Sequence, residues 1–586
     1  MLIDEEKGVF NDMAVLPKTI NFYMDSWLEN AGIIGLTRIL DVEDYEINDD
    51  QLIVKTAVFK TINNSFFQYF IDTYGQYTHY YKIISWLPKI IAIEKLGFDK
   101  YTFQDYQACV KWFNNNVRYF IKTSSYKQMR PLAHSEIPIE EYLENATNLF
   151  KKLSKNKWQD KNVNLKKELT VLFGELKKIV QYFANDTNKR YFLAKSLGYR
   201  YINKGWNGIS FLNNQSKIVN LYQDYQEYFV QPVIDFLSEN HEKAKIKCTT
   251  CGRKMRSNEK IGYSFLNGMG YDYRKRNSNG YKFNSDQFLC PICRLMYSAV
   301  PAGFTYNLKG NHGFFVNQTG YNLNNLYNAN NNFLEVLTES FEGANKVSPW
   351  YGFYEVFKKE FNKSKQNMFV NVQIVNRKNE QYHFNIISEV AANVLRKAEK
   401  QRSDGQEKIT ILDAINNAFI FEYQGVESFM IFDEVIMRIL NQTNMNNLVN
   451  KLLFLKILNR RGVYITPMQI LNIVELNTML FNEMDVTKLD IKKLSKVYGN
   501  GKNFAQKYKL NPDKEKILIY QLLQALKIQN QKKTMNLLLS CYLRQQESIP
   551  NEFMQQLENK EEFKQLVYAF ITGLISGKKE GKVDEK

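Results

Sequence analysis

"CTTCGRKMR" at residues 248–256 and "CPICRLMY" at 290–297 each open on a C-x2-C pair, and 38 residues separate the pairs. Such a pair puts two thiolates on one tight knuckle, and two knuckles complete the tetrahedral shell that zinc prefers. Cys248, Cys251, Cys290 and Cys293 are therefore the predicted ligands of one Zn2+ ion. Gly252 follows the first pair, where a knuckle turn calls for positive φ. Pro291 stiffens the second knuckle. The same four thiolates could carry an iron–sulfur cluster instead. Four protein ligands close the shell, whereas catalytic zinc keeps one position open, so a structural ion is predicted. A zinc deaminase needs H-x-E followed by P-C-x-x-C. "HSE" at 134–136 offers the first half, but the second knuckle carries its proline inside the pair. No catalytic residue is assigned.

The segment between the knuckles is unusual for this chain. Five of the 17 arginines, Arg253, Arg256, Arg274, Arg276 and Arg294, fall within residues 253–294. Lys254, Lys260, Lys275 and Lys282 add to them, against Glu259, Asp272 and Asp286. Tyr263, Phe265, Tyr271, Tyr273 and Tyr281 are interleaved. Cations with aromatics suit a phosphate backbone and unstacked bases. Arg253, Lys254, Arg256, Arg274, Lys275, Arg276 and Arg294 are the predicted nucleic-acid contacts. A solvated charged hairpin and a protein-docking surface remain open readings of the same residues.

The rest of the composition bounds the class. The 586-residue chain carries a formal net charge of +17, which favours acidic partners such as nucleic acid. Its bias towards Lys, Asn, Ile and Tyr inflates lysine but not arginine, so the arginine cluster is the sharper signal. Six cysteines are too few for a secreted disulfide scaffold, and no apolar run is long enough to span a membrane. A soluble, reducing, cytoplasmic setting without a membrane partner is expected. The five histidines are scattered singly, and no nucleophile elbow, P-loop or kinase motif occurs. "YGNGKNFAQKY" (498–508) reads as a helix-starting turn.

Along the chain, "WLENAGIIGLTRIL" (27–40) has helical spacing interrupted by Gly32 and Gly35. Each glycine costs roughly 1 kcal/mol relative to alanine, which points to a closely packed neighbouring helix more than to a ligand. "YEINDDQLIVKTAVF" (45–59) reads as strands around an "NDD" turn. "GWNGISFLNN" (205–214) reads as a turn and a short strand, and 396–408 as an exposed loop or a solvated helix end. From about 410 the pattern is nearly continuous helix, with Leu522, Leu523, Leu526, Leu537, Leu538 and Leu543 on core faces. The predicted fold is α+β and predominantly helical. It has a mixed region at 1–244, a four-cysteine zinc module at 245–306, a continuation of the mixed region at 307–409, and a helical bundle at 410–586.

"DSWLENAGIIGLTRIL", "GWNGISFLNN", "CTTCG" and "CPICRLMYSAVPAGFTY", in this order and ahead of a helical C-terminus, resemble the large subunit of a type I-B CRISPR interference (Cascade) complex, in its zinc-containing branch. The resemblance implies a subunit without chemistry of its own. It would sit at the end of the complex that holds the 5′ handle of the guide RNA, recognise a protospacer-adjacent motif in double-stranded DNA, and help open the duplex. It would stabilise the R-loop and present the DNA to a separate helicase–nuclease recruited in trans. Backbone and small subunits would be its partners, and the C-terminal bundle would resemble a small subunit. A type III polymerase-like subunit should carry a G-G-D-D turn, which is absent from the sequence. A stand-alone zinc-containing nucleic-acid-binding protein remains the alternative.

Overall fold

The N-terminal expectations hold. Strand β1 (Thr19–Tyr23) leads into a helix over Trp27–Ile39, and β2 (Tyr45–Asn48) and β3 (Gln51–Lys55) follow as a hairpin. Asp49 makes the turn at φ 51°. The sheet has order β1-β3-β2 and is antiparallel, with Ile20 opposite Val54 and Ile47 opposite Leu52. The two-residue period buries Ile20, Phe22, Leu52 and Val54 on one face. The computed structural model describes residues 16–577 apart from 97–102, 135, 156–162, 267–286, 308–311, 319–321, 343–348, 364–371, 379, 400–401, 405–406, 422–428, 460–461 and 509–511.

The fold is α+β and predominantly helical. It divides into two compact units, Met1–Asn330 with Val375–His383, and Asn331–Ile374 with Phe384–Lys586. This division differs from the boundaries read in the sequence. The four-cysteine segment is part of the first unit, because Cys248, Met255, Leu289 and Cys290 share its hydrophobic core.

In the first unit, β4 (Ile246–Lys247) and β5 (Lys254–Met255) form a small antiparallel hairpin. A helix over Pro291–Ser298 and a short one over Val300–Gly303 follow. Then come β6 (Thr305–Tyr306) and β7 (His312–Asn317); with β8 (Gln373–Lys378) and β9 (Gln381–Ile386), of which Val375–His383 belong to this unit, the sheet order is β6-β7-β8-β9. Every residue from Cys290 to Tyr306 is buried. This central helix pair explains the glycines of the first helix. A Cβ on Gly35 would lie 1.9 Å from the Ala299 carbonyl oxygen, and one on Gly303 would lie 2.0 Å from that of Ala31. The two backbones touch, which only glycine permits.

Other segments close on the same helix pair. The Trp206 indole nitrogen donates to the Ser298 carbonyl at 2.9 Å, and the ring is fully buried. Arg38 donates to the carbonyls of Ala302 and Gly303 at 2.9 Å and of Asn330 at 2.7 Å. "GWNGISFLNN" reads as a turn and a short strand, but the strand does not form. Ser210–Leu212 is a 3-10 turn instead, with Ser210 at φ 45°. Aromatic residues of the 58–125 region fill the core, with Phe66 stacked on Tyr225 at 4.4 Å between centroids.

The second unit is mostly helical. Residues 396–408, read as an exposed loop or a solvated helix end, hold the end of a helix over Glu389–Ala398 and most of a two-stranded ribbon of β10 (Arg402–Asp404) and β11 (Glu407–Ile409). A further sheet has order β13-β12-β14, from β12 (Phe419–Ile420), β13 (Phe429–Met430) and β14 (Val463–Tyr464). "YGNGKNFAQKY" is no helix start; it lies inside the helix Ile491–Tyr508. A Cβ on Gly573 of helix Lys560–Ser576 would meet the Tyr498 carbonyl oxygen at 2.1 Å and one on Gly501 the Phe570 carbonyl oxygen at 2.3 Å, so these two glycines serve backbone contact between two helices. Asn477 donates to Asn446 and Gln565, each at 3.0 Å, and Gln565 donates to Asn446 at 2.8 Å. A buried amide network satisfied in this way fixes the register of the helices that carry it. Leu522, Leu523, Leu526 and Leu538 are buried as expected, but Leu543 is 70% exposed. Among the described residues, no helix is long and apolar enough to cross a membrane.

Candidate metal centre

The first knuckle is the turn of the β4–β5 hairpin. Cys248 N–H donates to the Arg253 carbonyl at 2.9 Å, and Gly252 N–H donates back to the Cys248 carbonyl at 2.9 Å. Gly252 has φ 71°, as the knuckle reading required. The second knuckle is a helix start. Cys290 is the N-cap residue of Pro291–Ser298, with Pro291 in the first turn. A proline there loses no hydrogen bond and is preset for the helix. Cys293 lies in the same first turn, so both thiols sit where the helix dipole favours negative charge.

The knuckles meet. The four sulfur atoms all lie within 4.8 Å of one another, with Cys251 and Cys290 3.6 Å apart at sulfur. Tetrahedral thiolates at the usual zinc–sulfur distance of about 2.3 Å stand about 3.8 Å apart. The thiols are free, so no disulfide competes for them. The Cys290 N–H also donates to Cys248 Sγ at 3.3 Å. Hydrogen bonds from Cys248, then Cys290 and Cys293, hold the Cys251 thiol well below its ordinary range. Cys290 and Cys293 are pushed up, chiefly by hydrogen bonding to Cys248 and then Cys251. A bound cation would take the place of those shared protons. The four cysteines can hold a metal ion.

A ring of neighbours fixes both knuckles. Thr249 exchanges backbone and side-chain hydrogen bonds with Phe288 at 2.8–3.0 Å. Ile261 and Leu289 form a two-way backbone bridge, and Trp206 bridges to Leu266. Both ends of the inter-knuckle insert are therefore pinned without the metal. Thr250 shares hydrogen bonds with Tyr263 at 2.9 Å and Tyr297 at 3.0 Å. The Tyr297 hydroxyl also donates to the Glu29 carboxylate. Burial, then Glu29, pushes the Tyr297 hydroxyl far up, so it remains a donor. Thr249, Thr250, Tyr297 and Glu29 carry no sequence signature for this role; only the fold assembles them.

The predicted nucleic-acid contacts divide. Arg274, Lys275 and Arg276 lie outside the described residues. Lys254 is exposed, with its ammonium on the Glu242 carbonyl at 2.8 Å. Arg256 is exposed but pairs with Glu239. Arg253 points inward. It donates to the Asn21 carbonyl at 2.9 Å, and its guanidinium also meets the cysteine cluster. Burial opposes its charge, but Cys251 first, then Cys290 and Cys293, outweigh burial and raise its pKa. Arg253 is a counter-charge for a thiolate cluster that would stay negative with a divalent ion bound.

A nucleic-acid contact does not fit Arg294. It is 9% exposed, lies 4.7 Å over the Tyr228 ring and donates to the Tyr228 carbonyl. Charge counting along the sequence cannot see that a carbonyl and two rings receive this side chain. Arg294→Met is expected to destabilise the protein by about 1–3 kcal/mol in denaturant melts. It should leave the salt dependence of DNA binding unchanged; a slope shallower by about one would return Arg294 to the binding surface.

A second cluster lies beside the first knuckle. Glu239, His241 and Glu259 also bring ligand atoms within 4.8 Å of one another. His241 Nε2 is 2.8 Å from Glu259 Oε1, its ring stacks on Phe236, and Arg256 takes Glu239. These partners account for the cluster, which is separate from the cysteine shell.

Residues 241–305 match the family model described as CRISPR-associated protein (Cas_CXXC_CXXC). That match indicates a CRISPR-associated protein. It covers both knuckles and the helix pair behind them. Comparison with curated proteins and with solved structures gave no match.

Proposed function

We propose that this CRISPR-associated chain is the non-catalytic large subunit of a type I-B RNA-guided DNA surveillance complex. In this reading Zn2+ occupies the four-cysteine site and is structural. The subunit recognises a protospacer-adjacent motif, aids duplex opening and stabilises the R-loop. It then presents the DNA to a helicase–nuclease that acts in trans. Exchange of a DNA duplex for a guide–target heteroduplex is nearly balanced, so modest backbone contacts suffice to tip it. The family-model match over the knuckles carries the reading. The convergence of "DSWLENAGIIGLTRIL" and "GWNGISFLNN" on the helix pair behind the second knuckle supports it. The closed shell of four thiols leaves no ligand position for a substrate, which suits a subunit without chemistry.

Co-expression with the other interference proteins and a guide RNA tests the proposal. The chain should co-purify with guide RNA and backbone subunits in a defined stoichiometry. A chain that binds nucleic acid but never joins them would be the stand-alone protein instead. Within an assembled complex, Arg274→Glu with Arg276→Glu is expected to weaken DNA binding. Each lost phosphate contact should flatten the log–log salt slope by about 0.9. An unaltered slope would remove both residues from the interface.

A further inference from the structure

The four sulfurs of the metal centre are not equivalent. Cys248, Cys290 and Cys293 are 2%, 0% and 2% exposed, whereas Cys251 is only partly buried. Cys251 lies in the turn of the β4–β5 hairpin beside Gly252, which has φ 71°. Cys290 is fixed instead as the N-cap residue of the buried helix Pro291–Ser298. Their sulfurs stand 3.6 Å apart across the two knuckles. One sulfur is on an accessible turn and the other is sheltered and held.

Arg253 adds a fixed charge. Its guanidinium donates to the Asn21 carbonyl at 2.9 Å and also hydrogen-bonds to the Cys251 side chain. A guanidinium held there favours negative charge on that sulfur and on an oxygen leaving from it. The two remaining cysteines are set differently. Cys109 is 4% exposed, and burial pushes its thiol up to about 12. Burial also pushes the Cys541 thiol up.

A partly accessible sulfur beside a cation, with a second thiol next to it, suits two-electron oxidation. We propose that the two knuckles form a redox-responsive clip, in which hydrogen peroxide oxidises Cys251 and Cys290 then closes a disulfide on it. The proposal rests on zinc occupying the four-cysteine site. In the first step the Cys251 sulfur attacks one peroxide oxygen. The O–O bond breaks, the sulfur becomes a sulfenic acid, and hydroxide leaves beside Arg253. In the second step the Cys290 sulfur attacks Cys251 Sγ, the S–O bond breaks and a second hydroxide leaves. Two thiolates and one hydrogen peroxide give one disulfide and two hydroxides, and both electrons come from sulfur. A disulfide bond is about 2.05 Å long, so the two sulfurs must close by about 1.5 Å. The hairpin turn supplies this movement, because Cys290 is held in the core. Only Cys248 and Cys293 then remain as thiol ligands, too few for a tetrahedral shell, and the site loses its hold on the ion. The knuckles stay joined by a covalent bond that a dithiol reductant reverses.

The test uses the full-length, zinc-loaded chain carrying Cys109→Ser and Cys541→Ser, with hydrogen peroxide as oxidant. A chromogenic chelator should register one zinc ion released per disulfide formed. Dimedone should trap the early sulfenic acid on Cys251, and non-reducing peptide maps should join Cys251 to Cys290. Dithiothreitol with added zinc should restore the metal content. Arg253→Met should slow release roughly tenfold, the worth of one charge-assisted hydrogen bond, and Arg253→Lys should recover part of the rate. A purely structural Arg253 would lower the melting temperature and leave the rate alone. Zinc retained in excess peroxide, or disulfides formed within each knuckle, would overturn the clip. If Arg253→Met fails to fold, the dimedone and disulfide maps decide. A chain that never takes up zinc removes the metal from the proposed function, and the disulfide map of that chain still decides the pairing. A zinc-loaded chain that resists peroxide sinks only this inference.

Discussion

Cys290→Ser is expected to strip the chain of its metal. Cys290 is one of the four cysteines that can hold a metal ion, the N-cap of the central helix and a fully buried core residue at once. Serine can still cap a helix, so the loss isolates the ligand role. Structural zinc in small peptides contributes roughly 10–16 kcal/mol of apparent binding free energy. Removing one of four thiolates should forfeit several kcal/mol of that. Plasma mass spectrometry of the purified variant should find little or no zinc, and thermal melting should begin earlier. Unchanged metal content would refute the ligand assignment. Iron with sulfide in the wild type would replace zinc by a cluster on the same thiols. The destabilisation should spare residues 254–266, which keep their own backbone bridges to Leu289 and Trp206. Faster hydrogen exchange should centre on residues 248–253 and 290–298.

Gly35→Ala should be nearly as damaging, although it adds one methyl group. The new Cβ would stand 1.9 Å from the Ala299 carbonyl oxygen. One partner is in a helix and the other is the backbone of the turn that joins two buried helices, so no side-chain rotation relieves the overlap. The helices must separate and open packing along Gly32, Met296 and Gly303. Overpacking of a rigid core costs typically about 1–3 kcal/mol and occasionally more, and a backbone clash belongs at the upper end. Limited proteolysis and a denaturant melt should show the first unit weakened. Gly174→Ala provides the control, because nothing lies within 4 Å of its added Cβ. Equal stability of the two variants would mean that the helices can part without cost.

The cysteine site was legible because its spacing is a local covalent constraint: C-x2-C fixes two sulfurs whatever the rest of the chain does. Gly32 and Gly35 were legible as a conflict between helix pattern and helix propensity, which a close neighbour resolves. The misreadings share one cause, a partner far away in sequence. Gly501 looks like part of a turn until helix Lys560–Ser576 is laid against it, where a Cβ would stand 2.3 Å from the Phe570 carbonyl oxygen. Arg294 looks like part of a basic surface until Tyr228 receives it. Arg253 looks the same until the cysteine cluster and the Asn21 carbonyl take its charge and its hydrogens. The 402–409 ribbon was hidden by its polar residues, which satisfy a strand pair as readily as a loop.

The contact between Gly35 and Ala299 also has a timetable. The two residues are separated by 264 positions, and a ribosome adds about 5–20 residues each second. The first helix therefore emerges roughly 15–50 s before the surface that covers it is synthesised. During that interval the part of its buried face that packs on Met296, Ala299 and Gly303 has no permanent cover. Production of the protein should therefore be sensitive to the supply of chaperones during translation.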